Sequence, residues 1–121
     1  MSVVLSELTI DTNLSTSNDK IITTTTNSTA FIGSAVFTNT GTITESVTVW
    51  RLGLDENGAD TPETATNYLV KKDILPKKSY TCEELIGQVI SFGSHIKATT
   101  ENADTTDTGA VAVNISGTIA V

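Results

Sequence analysis

The sequence predicts an all-β protein: an antiparallel β-sandwich of about seven or eight short strands, Ig-like or jelly-roll in topology. Three observations carry that expectation. Short runs rich in Val, Ile, Thr and aromatic residues recur along the chain, separated by clusters of Gly, Pro, Asn and Asp. Val111, Val113, Ile115, Ile119 and Val121 share one parity around Gly117, the cleanest period of two in the chain. No stretch carries a long amphipathic helical pattern, a heptad or a repeated unit. A length of 121 residues suits a single domain spanning residues 1–121.

Taken in order, Val3–Ile10 alternates loosely and reads as a first strand, followed by the polar connection Asp11–Lys20. Residues 1–20 form an added strand or an interaction arm. Ile21–Thr26 is a short, Thr-rich second strand suited to an edge. Ala30–Thr38 and Glu45–Leu54 read as two arms of a hairpin. Between them Asn39-Thr40-Gly41-Thr42 supplies residues that tolerate positive φ. In the second arm the apolar set changes face at Val49–Trp50. Three arrangements would do this: burial on both faces, a bulge, or Trp50 turned toward a partner subunit.

Asp55–Thr66 is the most loop-like segment, with the turn pair Asn57-Gly58 and with Pro62 excluding a central strand. Asn67–Leu75 reads as a strand ended by Pro76, and Ser79–Thr81 opens another. Thr81-Cys82-Glu83-Glu84 has the form of a helix start, so one short helical turn is expected near Cys82–Leu85, stopped by Gly87. Val89–Phe92 leads into a tight turn at Gly93, Ser94–Thr100 follows, and Glu101–Gly109 is a second acidic loop. Ala110–Val121 ends the sheet, with Gly117 marking a bulge or the close approach of another backbone.

Composition narrows the function. Hydrophobic residues make up 38% of the chain and aromatic ones only 5%, so Val, Ile and Leu must build the core. The net charge is −7, which argues against nucleic acid as a partner of the whole surface. Against that balance Lys71, Lys72, Lys77 and Lys78 cluster around Asp73 and Pro76. They form either a solvated strand end or a basic patch that docks on an acidic partner protein. The single cysteine, Cys82, allows no intrachain disulfide. The opening MSVVLSELTI does not read as a signal peptide, and no apolar run approaches the roughly 20 residues that span a bilayer, so no membrane partner is expected.

Reactive groups are scarce. Cys82 and His95 are the one conceivable nucleophile–base pair, and the glutamates beside Cys82 would raise its pKa, the wrong direction for a nucleophile. Asp55, Asn57 and Asp60 lack the spacing of an EF-hand loop. One His and one Cys cannot build a zinc site, and no phosphate-binding loop or nucleophile elbow occurs. No cofactor, metal or catalytic residue is expected, and the protein is read as a non-enzyme: a structural or binding module. A carbohydrate or host-surface binding module is the alternative, although its acidic clusters lack neighbouring aromatic platforms.

The order of parts from Phe31 to Val121 resembles small β-sandwich virion structural proteins of tailed bacteriophages. An apolar strand ends in an Asn-Thr bend (Ala35–Thr40), and an alternating strand follows (Ser46–Trp50). A Leu-Pro bend leads into a Tyr-containing segment (Leu75–Thr81), then a short apolar turn and a Gly-containing bend (Glu84–Val89, Gly93–Ala98). The closing strand is Val111–Gly117. Ser94 and His95 stand where such proteins usually carry an acidic residue, and the first thirty residues have no counterpart. The resemblance implies a virion location after synthesis in the host bacterial cytoplasm. It implies capsid decoration, or a neck or tail accessory role as a ring. The partners would be the major capsid protein or neck and tail proteins, together with other copies of the chain in a homo-oligomer. On that reading Trp50, Lys71, Lys72, Lys77, Lys78 and the N-terminal arm are the interface candidates.

Overall fold

The computed structural model describes residues 4–14, 16, 19–24, 27–53, 68–101 and 111–121. Nine strands lie among them: β1 (Leu5–Asn13), β2 (Asp19–Ile22), β3 (Thr29–Asn39), β4 (Glu45–Leu52), β5 (Val70–Ile74), β6 (Ser79–Thr81), β7 (Val89–Ser91), β8 (His95–Thr100) and β9 (Val111–Ala120). They form two antiparallel sheets packed face to face, a sandwich-like arrangement with no helix among the described residues. One sheet has the order β1-β9-β3-β6, with β7 also on β3; the other has the order β2-β8-β4-β5. β6 and β7 lie end to end along β3, opposite Val36–Thr38 and Thr29–Phe31. The acidic segment Asp55–Thr66, with Asp55, Asn57 and Asp60, and all of Glu101–Gly109 except Glu101 lie outside the described residues.

Alternation decides which side chains enter the core. In β4 Val47 and Val49 are buried; in β9 Val111, Val113 and Ile115 are; in β3 Ala30, Ile32, Ala35 and Phe37 are. They join Ile22, Ile74, Ile90 and Ile96 in one cluster between the sheets. Phe37 is its largest fully buried side chain. The scarcity of aromatic residues therefore gives a core of β-branched side chains around one ring.

β3 skips a residue between Ile32 and Ser34 in its register with β9, opposite Gly117. A Cβ on Gly117 would stand 1.9 Å from the Phe31 carbonyl oxygen. Bulge and close backbone approach thus coincide there. Only glycine fits.

Two expectations are corrected. β3 and β4 do not form a hairpin: β3 belongs to one sheet and β4 to the other. The intervening bend carries the chain across the sandwich, because Asn39 turns inward rather than reversing the strand. Its Oδ1 accepts the Gly41 N–H at 2.9 Å, and its Nδ2 donates to the carbonyls of Ile43 at 2.7 Å and Ile74 at 2.9 Å. Nor does the segment after β6 become helical. Leu85 N–H reaches the Cys82 carbonyl at 3.1 Å and Gln88 N–H the Leu85 carbonyl at 3.0 Å, while Cys82 N–H is held by Ala35 of β3 at 2.8 Å. That tie to the sheet and a φ of 88° at Gly87 leave only consecutive turns.

The first twenty residues supply strands. β1 runs the full length of β9, from Leu5↔Ala120 to Asn13↔Ala112, without a register shift. The face change at Val49–Trp50 involves no bulge, since β4 keeps an unbroken register with β8 from Val47 to Leu52. Trp50 and Leu52 are buried, yet stand outside the main core cluster, so β4 is buried on both faces there.

Candidate functional site

The lysine cluster occupies the corner where the chain passes from β5, an edge of one sheet, to β6, at an edge of the other. Pro76 and Lys77 make the turn, closed by Lys78 N–H on the Leu75 carbonyl at 3.1 Å. Lys77 has φ 61°, a conformation a lysine adopts only when its surroundings hold it. They do: Lys77 N–H donates to the Asn39 carbonyl at 2.8 Å and Asn39 N–H to the Lys78 carbonyl at 2.9 Å. The Lys77 ammonium donates to the Thr40 carbonyl. Asn39 is fully buried and fastens this turn to the β3–β4 bend.

Strand parity separates the four lysines. Ile74 points into the core, so Lys72 shares the inward-facing parity of β5, while Lys71 and Asp73 lie on the outer face. Lys72 reaches across to the other sheet, its ammonium 5.5 Å from the Tyr80 ring centroid. Lys72, Lys78, Tyr80, Asp73 and the exposed Leu75 line a shallow groove of about 270 Å³. The structure thus brings Lys72 and Lys78 together, folds Lys77 back onto the bend and leaves Lys71 on a different face. Trp50, another of the interface candidates, is 8% exposed and offers a partner little surface.

Behind the groove sit three groups that hold their protons in a fixed pattern. Tyr80 donates its hydroxyl to Glu84 Oε1 at 2.5 Å, and Cys82 Sγ stands 3.9 Å from the same oxygen. Burial, then the Glu84 hydrogen bond, pushes the Tyr80 phenol above its ordinary value. Burial, with the charge of Glu84 adding to it, pushes the Cys82 thiol up to about 11. The Tyr80 hydrogen bond holds the Glu84 carboxyl below the usual range. At neutral pH this is a neutral phenol and a neutral thiol around one carboxylate, so Cys82 is no activated nucleophile.

His95 does not join that group: it is buried at the start of β8, paired in register with Leu52 of β4, whereas Cys82 follows β6 in the other sheet. A second cavity of about 190 Å³ lies beside His95, with Lys20, Thr23, Thr24 and Phe92 in its wall. Among the described residues no three His, Cys, Asp or Glu side chains stand together as a metal site. No described helix is long and apolar enough to cross a membrane. No family model matches the chain, and neither a curated protein nor a solved structure matches it.

Proposed function

We propose that the chain is a non-enzymatic virion structural protein of a tailed phage, decorating the capsid by docking its lysine corner and loops on the assembled shell. The observation that carries this reading is the corner itself: basic side chains held on a braced cross-sheet turn in a chain of net charge −7. Such a patch attracts an acidic protein surface while the rest of the molecule repels it, which selects orientation as well as partner. The backbone beneath is fixed before contact, so little ordering cost accompanies docking. The order of strands and bends from Phe31 to Val121, similar to that of small phage virion proteins, adds support and names the partner class. The neutral Cys82 thiol, set apart from His95, supports a role without catalysis.

The test is to purify virus particles from the host that carries the gene and label them with an antibody against the chain. Labelling over the shell is the expected result. Labelling confined to the neck or tail selects an accessory ring instead, and particles without the chain refute the proposal. Lys72→Glu with Lys78→Glu should then reduce the copies per particle at least about tenfold, the loss of roughly two desolvated charge pairs.

A further inference from the structure

The four sides of the two sheets are not finished alike. β2 has four residues and a register shift between Lys20 and Ile22. β5 carries Lys71, Lys72 and Asp73 in five residues. β6 and β7 have three residues each. Short length, irregular register and edge charges are the ordinary means of preventing another strand from adding. β1 is different: nine residues in unbroken register with β9, with no Pro and no bulge, and with Glu7 and Asp11 as its only charges.

The outer edge of β1 also has open backbone groups. Val4 and Val121 exchange both N–H···O=C bonds, at 3.2 and 2.9 Å, and Leu14 N–H reaches the Val111 carbonyl at 2.9 Å. Hydrogen-bonded residues alternate in an antiparallel pair, so the even-numbered residues of β1 face β9. Leu5, Glu7, Thr9 and Asp11 therefore aim their N–H and C=O groups away from the sheet, and all four residues are exposed. A second copy offers the same choice of edges, and the least guarded is again β1.

We infer that β1 is a self-association edge: it pairs antiparallel with β1 of a second copy, and the β1-β9-β3-β6 sheet continues across a twofold axis. Such a contact is isologous and closes at two chains. Charge weighs against one register. Centred on Thr9, the pairing would set Glu7 against Asp11 of the partner subunit, a like-charge pair repeated twice. Centred on Leu8, it spans residues 4–12. Glu7 then meets Thr9 of the partner subunit, Leu5 meets Asp11 of the partner subunit, and no like charges stand directly opposite. Glu7 and Asp11 remain diagonal neighbours, so the dimer tightens as salt screens them. This edge lies apart from the lysine corner, which stays open to a different partner.

The experiment combines light scattering with amide exchange over a concentration series. The expected result is a mass of two chains that grows in proportion as salt rises from about 20 to about 500 mM. Concentration-dependent protection should fall on the Leu5, Glu7, Thr9 and Asp11 amides. Thr9→Pro removes an N–H that makes no bond to β9, so it should abolish the dimer while the fold persists. Thr9→Glu keeps the N–H and faces Glu7 of the partner subunit twice; it should weaken dimerisation about tenfold. A monomer at every concentration and salt overturns the inference. So does a dimer that Thr9→Glu leaves unchanged, or one whose protection lies elsewhere.

Discussion

The β5–β6 corner and the β1 edge are opposite ways of ending a sandwich. At the corner, backbone and side-chain bonds run from the β3–β4 bend to the turn, with Asn39 at their centre. The groups presented outward are lysines, a tyrosine and Leu75. At β1 the exposed side chains are Leu5, Ser, Thr and Asn residues and two carboxylates, and what is presented is the peptide ladder itself. A partner at the corner is read by its charge and shape. A partner at β1 is read by its ability to become a strand.

The largest effect that separates the two regions should come from Gly117, which lies in β9 between β1 and the bulge of β3. Gly117→Ala drives a methyl into the Phe31 carbonyl and should cost at least about 3 kcal/mol in denaturant unfolding. Amide exchange should rise first across β1 and β9, leaving the corner intact. Asn39→Ala attacks the other region. It removes three hydrogen bonds at a buried site and strands the Ile74 carbonyl, for an expected loss of about 2–3 kcal/mol. Here exchange should rise around Lys77 and Lys78, and β1 should be unaffected.

The smallest effect is confined to alkaline pH. The folded chain holds the Cys82 thiol protonated up to about 11, against an ordinary 9.0. The unfolded chain loses that proton first, so stability falls as pH rises from about 9 toward about 11, and Tyr80 extends the fall in the same direction. Chemical unfolding across that range should show a steeper decline for the native chain than for Cys82→Ala. Equal slopes would mean the thiol does not sense the fold.

Much of this was written in local sequence. Each expected strand has a counterpart, because alternation and β-branched residues act over a few positions: Val47/Val49, Val111/Val113/Ile115 and the pair Lys72/Ile74 all face as their parity requires. Gly117 was legible for the same reason. What escaped is long-range. Asn39-Thr40-Gly41 has the residues of a reversing turn, and only the Ile74 carbonyl, thirty-five residues on, makes it a crossing instead. The four lysines form two adjacent pairs close in sequence, but the strand pleat sends Lys71 and Lys72 to different faces. Glutamates beside Cys82 did signal a raised pKa, whereas burial, its main cause, depends on packing against β3. The open character of β1 had a faint signal, the absence of Lys and Pro from LSELTIDTN, which gains meaning only once β1 is known to be at an edge.

The position of β9 has a consequence for how the protein is made. It is the last of the nine strands to leave the ribosome, yet it is the one that β1 and β3 both need as a neighbour. Through the synthesis of residues 40–110, two long strands wait with no ladder between them. The β1-β9-β3 part of the sheet therefore forms late, by contacts spanning almost the whole sequence, the slowest kind of folding. During that interval the nascent chain exposes β1 on both sides at once. A cell producing it in quantity therefore faces its greatest aggregation risk in the interval before β9 pairs.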